Sequence, residues 1–99
     1  MNVKSVFEFK FPKAAQEEGL TVCNAIGHDM TEKSGYLDHE VIQDVKDPGH
    51  LMVNTLWQSQ AASDAVLSTY QHDEKVKKAS ELSGNPPVGF VGEVLPKTV

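Results

Sequence analysis

Few residues of this chain are of the types that do chemistry, and their spacing matters as much as their identity. Four histidines, His28, His39, His50 and His72, are scattered at separations that fit no metal-binding helix. The single cysteine, Cys23, excludes an internal disulfide and a cysteine-rich zinc site. Neither a glycine-rich phosphate loop nor a serine elbow is present. The carboxylate pairs Glu17-Glu18 and Asp73-Glu74 fall on helix faces expected to be solvated. Trp57, the only tryptophan, ends the run Leu51 to Trp57 and is followed at once by Gln58-Ser59-Gln60-Ala61-Ala62. The run reads as a strand, and Ser59 can cap the helix that follows by accepting from an orphan backbone N–H. A bulky ring at such a corner either lines the space between a sheet and its covering helix or plugs the core there. His39, among apolar neighbours, is open to a similar pair of readings: a hydrogen-bonded core residue, or one that faces a pocket.

The elements that must position these residues follow from periodicity. Val3, Ser5, Phe7, Phe9 and Phe11 alternate with Lys4, Val6, Glu8 and Lys10, which predicts a first strand over 3–11. Its Phe-rich face is either a core face or an aromatic wall for a flat ligand. After Pro12, Ala15, Leu20, Cys23, Ile26, Gly27 and Met30 recur mostly at threes and fours, which predicts an amphipathic helix stopped near Ser34-Gly35. Cys23 on that stripe behaves as a small hydrophobe. A second strand runs from Tyr36 to Asp44 with Leu37, His39, Val41 and Gln43 on one face. Asp47-Pro48-Gly49 then turns the chain into a third strand, His50 to Trp57. Ser59 to Tyr70 is helical by pattern. A second helical piece covers about Asp73 to Leu82, with Gln71-His72 as the joint. Gly84-Asn85-Pro86-Pro87 breaks it, and Val88 to Leu95 is the last strand.

Strand, helix, strand, strand, helix pair, strand is the split βαβ order of an α+β, ferredoxin-like domain with a four-stranded antiparallel sheet. Right-handed crossovers place the first strand between the third and the fourth. The helices cover one face of such a sheet. Val6, Val41 or Ile42, and Val91 are expected to leave enough apolar surface on the other for a second copy, so a homodimer packed sheet against sheet is expected.

Composition sets the remaining bounds. Ninety-nine residues suit one compact domain, residues 1–99, and 39% hydrophobic with 23% charged is ordinary globular composition. A net charge of -5 argues against a nucleic-acid groove, which needs a basic face. Charges interrupt the first residues where a signal peptide is apolar. No apolar run approaches the roughly 20 residues that span a bilayer. A cytoplasmic protein without membrane contact is the expectation.

The stretch Ser34-Gly35-Tyr36-Leu37-Asp38-His39-Glu40-Val41, the Asp47-Pro48-Gly49 turn and then Trp57-Gln58-Ser59-Gln60-Ala61-Ala62 resemble the antibiotic biosynthesis monooxygenase family. The shared pattern is a Gly before the second strand, a Pro-Gly hairpin turn, and Trp-x-Ser-x-x-Ala opening the second helix. The resemblance covers nearly the whole chain. It implies a dimeric α/β barrel with a pocket between sheet and helices in each subunit. It also implies a monooxygenase that oxidises a small quinol or phenol with dioxygen and no bound cofactor or metal. A deprotonated phenol is electron-rich enough to reduce dioxygen, so the protein need only remove a proton, exclude water and hold the ring.

By the same resemblance Trp57, with Phe7, Phe9 and Tyr70, would hold the ring, while His39, Asn54 or His72 would accept or orient the proton. Cofactor-free members carry an Asn four residues before the Trp; here that position is Val53, and Asn54 lies one place later. On a flat strand that shift turns the side chain to the opposite face. Quinol-type members often carry a His nine residues after the Trp, where this chain has Val66, and the haem-degrading branch places its ligand where this chain has Ala79-Ser80. A second expectation is therefore a non-catalytic small-ligand-binding or stress-response barrel that keeps the fold without the proton-transfer groups.

Overall fold

The computed structural model describes residues 1–98. The elements, in order, are β1 (Val3–Lys10), a short 3-10 turn (Lys13–Ala15), α1 (Gln16–Met30), β2 (Tyr36–Gln43), β3 (His50–Trp57), α2 (Gln60–Tyr70), α3 (Glu74–Ser83) and β4 (Val88–Glu93). The four strands form one sheet in the order β2-β3-β1-β4, with every neighbouring pair antiparallel. This is the α+β, ferredoxin-like arrangement. The helix expected directly after Pro12 starts as the 3-10 turn instead, because Pro12 holds an extended ψ of 160° and leaves the next three residues to close the bend.

Register decides which side chains share a face. Val3, Ser5, Phe7 and Phe9 lie opposite Trp57, Thr55, Val53 and Leu51. Cross-strand partners project to the same side, so these eight form the floor beneath the helices. Lys4, Val6 and Glu8 share the open side with Leu56, Asn54 and Met52. On β2 the pairing shifts between Tyr36 and Asp38. The extra residue there, Leu37, is left 46% exposed rather than joining His39 on the covered side, as an unpaired bulge residue does. Beyond the bulge His39, Val41 and Gln43 lie beside Thr55, Val53 and Leu51, on the helix side. Val41 and Val91 therefore pack against the core and not on the open face, where Val6 and Ile42 do lie.

Close contacts seat two of the helices. Gly35 has φ +85°, a backbone that side chains rarely adopt. A Cβ there would stand 2.4 Å from the Ala62 Cβ, so the first turn of α2 rests directly on it. Gln58 N–H donates to the Gly35 carbonyl at 2.8 Å, and Ser59 caps α2 by accepting from Ala62 N–H at 3.2 Å. This corner gives the spaced Gly35, Trp57, Ser59 and Ala62 a common physical reason. At Gly27 of α1, a Cβ would come within 2.9 Å of His39 Cδ2, so the imidazole sits in the space that a larger residue would fill. Among the described residues no helix is long and apolar enough to cross a membrane.

Candidate functional site

Between the sheet and the helices lies a cavity of about 100 Å³. Its floor is Ser5, Phe7, Phe9, Val53, Thr55 and Trp57; α1 contributes Ile26 and Met30, and the α2–α3 corner closes it with Val66, Leu67, Tyr70, Gln71 and Val76. The walls are overwhelmingly apolar; the polar groups of the floor, Ser5 and Thr55, are cross-strand partners, and Gln71 adds one at the corner, as in most small-molecule sites. Trp57 is 1% exposed yet lines this space. Its indole N–H donates to Ser5 Oγ at 3.1 Å, which fixes the ring and leaves the serine's own proton free to donate elsewhere.

Four of the residues singled out from sequence, Phe7, Phe9, Trp57 and Tyr70, are brought together here. His39, Asn54 and His72 do not line the cavity. Asn54 projects from the open face, as the parity of β3 requires. It donates to Glu40 Oε1 at 3.3 Å, and its own Oδ1 is buried without a partner among the described residues. His72 is exposed in the α2–α3 joint. His39 is on the covered side, one place removed: it is the cross-strand neighbour of Thr55, which is itself the neighbour of Ser5. Ser5, Thr55 and His39 thus make a polar row across three strands of an otherwise apolar floor. The row ends in a bond between His39 Nδ1 and the Tyr36 hydroxyl at 2.7 Å.

Tyr70 offers its ring to the cavity, because its hydroxyl donates to Asp29 Oδ2 at 2.7 Å. Burial, reinforced by the Asp29 carboxylate, pushes that hydroxyl far above the ordinary tyrosine range, so Tyr70 is a donor and no base. Burial alone would raise the Asp29 carboxyl, but the bonds from Tyr70 and the Lys75 ammonium outweigh it and hold the group below the usual range. Burial pushes the Cys23 thiol up to about 12, which leaves it inert as a nucleophile.

A second polar cluster, not found from sequence, lies on the open face. His50 Nε2 is 2.6 Å from Glu8 Oε2 and its Nδ1 is 3.0 Å from Asp44 Oδ2. The bonds to Asp44 and then Glu8 raise the His50 pKa, favouring the imidazolium that both carboxylates accept from. Strand parity puts Glu8 and His50 on one face, but only the register shows that they meet. Among the described residues no group of three His, Cys, Asp or Glu side chains is placed to hold a metal.

Solved structures share this architecture from end to end. Rv0793 from Mycobacterium tuberculosis superposes with a TM-score of 0.82 at 15% identity, covering 100% of both chains. A conserved protein from Methanosarcina mazei Go1 gives 0.82 at 15% identity over 96% of this chain and 94% of its own. SnoaB, a cofactor-independent oxygenase from Streptomyces nogalater, gives 0.76 at 13% identity over 99% and 95%. At such identities the likeness is one of fold. No curated protein matches the sequence. The model of one family, described as antibiotic biosynthesis monooxygenase, matches residues 2–78. That match spans well over half of the chain and includes the Gly35, Trp57, Ser59 and Ala62 corner, and the chain accordingly belongs to the antibiotic biosynthesis monooxygenase family.

Proposed function

We propose that the chain is a monooxygenase that binds a small phenol or hydroquinone in the cavity above Trp57 and oxidises it with dioxygen. The observation that carries this reading, beside the family, is the polar row leaving an apolar chamber: Ser5 and Thr55 at the floor, His39 just beyond. A ring held between Phe7, Trp57 and Tyr70 points its hydroxyl at Ser5 and Thr55. Cross-strand neighbours have Cβ atoms about 4.5–5.5 Å apart, close enough for the Thr55 hydroxyl to turn towards the His39 imidazole when a ligand binds and pass the ligand's proton to it. With Tyr36 accepting from Nδ1–H, Nε2 is the nitrogen that takes it. The resulting anion reduces dioxygen in a chamber that excludes water. For benzene-1,4-diol the reaction balances as one diol and one O2 giving one hydroxyquinone and one water. The diol supplies all the electrons, so the reaction as proposed draws on no cofactor.

Oxygen uptake with a panel of hydroquinones tests this reading. Consumption that saturates with the diol and exceeds autoxidation is expected, and consumption at the uncatalysed rate with folded protein would overturn it. A second reading, a non-catalytic binder of the same ligands, is favoured by Val53 and Val66, which make the cavity apolar at both positions where the family resemblance leads one to look for a polar group. Thermal stabilisation by a hydroquinone with no oxygen uptake would select it.

We further propose that a second copy covers the open sheet face. Ile42, Val88 and Phe90 are 45%, 67% and 67% exposed there, an apolar surface that a closed two-fold assembly would bury. Sedimentation at micromolar concentration should give twice the chain mass; a species of one chain's mass would contradict the dimer.

A further inference from the structure

Asp29 lies in the last turn of α1, outside the cavity, yet its carboxylate gathers groups from both other helices. The Tyr70 hydroxyl donates to Oδ2 at 2.7 Å, and Lys75 Nζ stands 2.9 Å from the same oxygen. Tyr70 is the last residue of α2 and Lys75 belongs to the first turn of α3, whose cap, Asp73, accepts from Lys75 N–H at 2.8 Å. One oxygen atom therefore pins both sides of the α2–α3 corner to α1. The Lys33 ammonium stands over the same ring, 5.4 Å from the Tyr70 centroid.

That corner is also a wall of the cavity. Tyr70, Gln71 and Val76 line it, and Gln71 is exposed whereas Trp57 on the floor is 1% exposed. The corner therefore offers a path from solvent, beside the half-buried Phe7, Leu67 and Pro87, which also line the cavity. A cavity that takes up benzene measures about 150 Å³, and this one measures about 100 Å³, so admitting a ring requires one of its walls to move. We propose that Asp29 is a positioning residue: by clasping Tyr70 and Lys75 it sets how often the α2–α3 corner opens, and so governs admission of a small aromatic ligand to the chamber. The inference rests on the cavity being the ligand site and not on the oxidation.

Trp57 is the only tryptophan, so its fluorescence reports access to the chamber without any substrate. Quenching by acrylamide is measured on the full chain, with a urea midpoint for each variant so that folded protein is compared. Asp29→Asn is expected to raise the quenching constant about tenfold, the factor by which losing one charge-assisted hydrogen bond shifts an opening equilibrium. Lys75→Met, which removes one of the two clasped groups, is expected to give a smaller rise. Asp44→Asn weakens a comparable charge-assisted bond on the opposite face of the sheet and is expected to leave quenching unchanged. Unaltered quenching in Asp29→Asn, or an equal rise in Asp44→Asn, overturns the clasp. If Asp29→Asn does not fold, unaltered quenching in Lys75→Met overturns it instead. Because no substrate is present, this result is independent of whether hydroquinones are oxidised.

Discussion

Replacing His39 by leucine is expected to lower the turnover of a hydroquinone by about 10²- to 10⁴-fold, the usual contribution of a positioned general base. Affinity for the diol should change little, because His39 does not line the cavity and the groups that touch the ring, Phe7, Trp57 and Tyr70, remain. Stability should also be largely kept. Leucine is of similar bulk to imidazole and fits the space beneath Gly27, and the Tyr36 hydroxyl that loses its partner is only half-buried. Steady-state oxygen uptake and anaerobic titration of Trp57 fluorescence on the same variant separate kcat from binding. Wild-type turnover in His39→Leu would remove the imidazole from the proton path and leave the Ser5–Thr55 hydroxyls as ligand contacts only.

The largest effect on stability is expected at Trp57. Its ring is almost wholly buried and its N–H is bonded to Ser5. Truncation to alanine should cost about 3–5 kcal/mol, a large part of the 5–15 kcal/mol typical of a domain. Trp57→Phe is more informative. It should lose about 1–2 kcal/mol from the smaller ring and, in the folded fraction, bind hydroquinones more weakly, because the chamber floor recedes and Ser5 is no longer held. Urea midpoints and ligand titration together decide the matter. A stability loss with unaltered affinity would make Trp57 core alone.

The element order was legible because its signals are local. The alternation of Val3, Ser5, Phe7 and Phe9, the Asp47-Pro48-Gly49 turn and the break at Gly84-Asn85-Pro86-Pro87 each depend on a few neighbouring residues. The strand order followed from handedness. What depended on register was not legible. A single bulge at Leu37 separates it from the His39 face, and only pairing puts Val41 and Val91 under the helices instead of on the open side. The same holds for the site. Ser5, Thr55 and His39 are far apart in sequence and become one row through two strand pairings. Asp29 and Tyr70 are 41 residues apart and meet only when α2 docks beside α1. Asn54 shows the opposite case: parity on an unbroken strand was enough to turn it away from Val53 and the cavity.

Oxidation of benzene-1,4-diol under ¹⁸O₂ tests the central claim most directly, because autoxidation and catalysis leave different labels. Monooxygenation in the chamber should give a hydroxyquinone carrying one ¹⁸O atom, formed in proportion to wild-type protein and far more slowly with His39→Leu. Unlabelled quinone only, or label formed at the same rate with and without the protein, would contradict it.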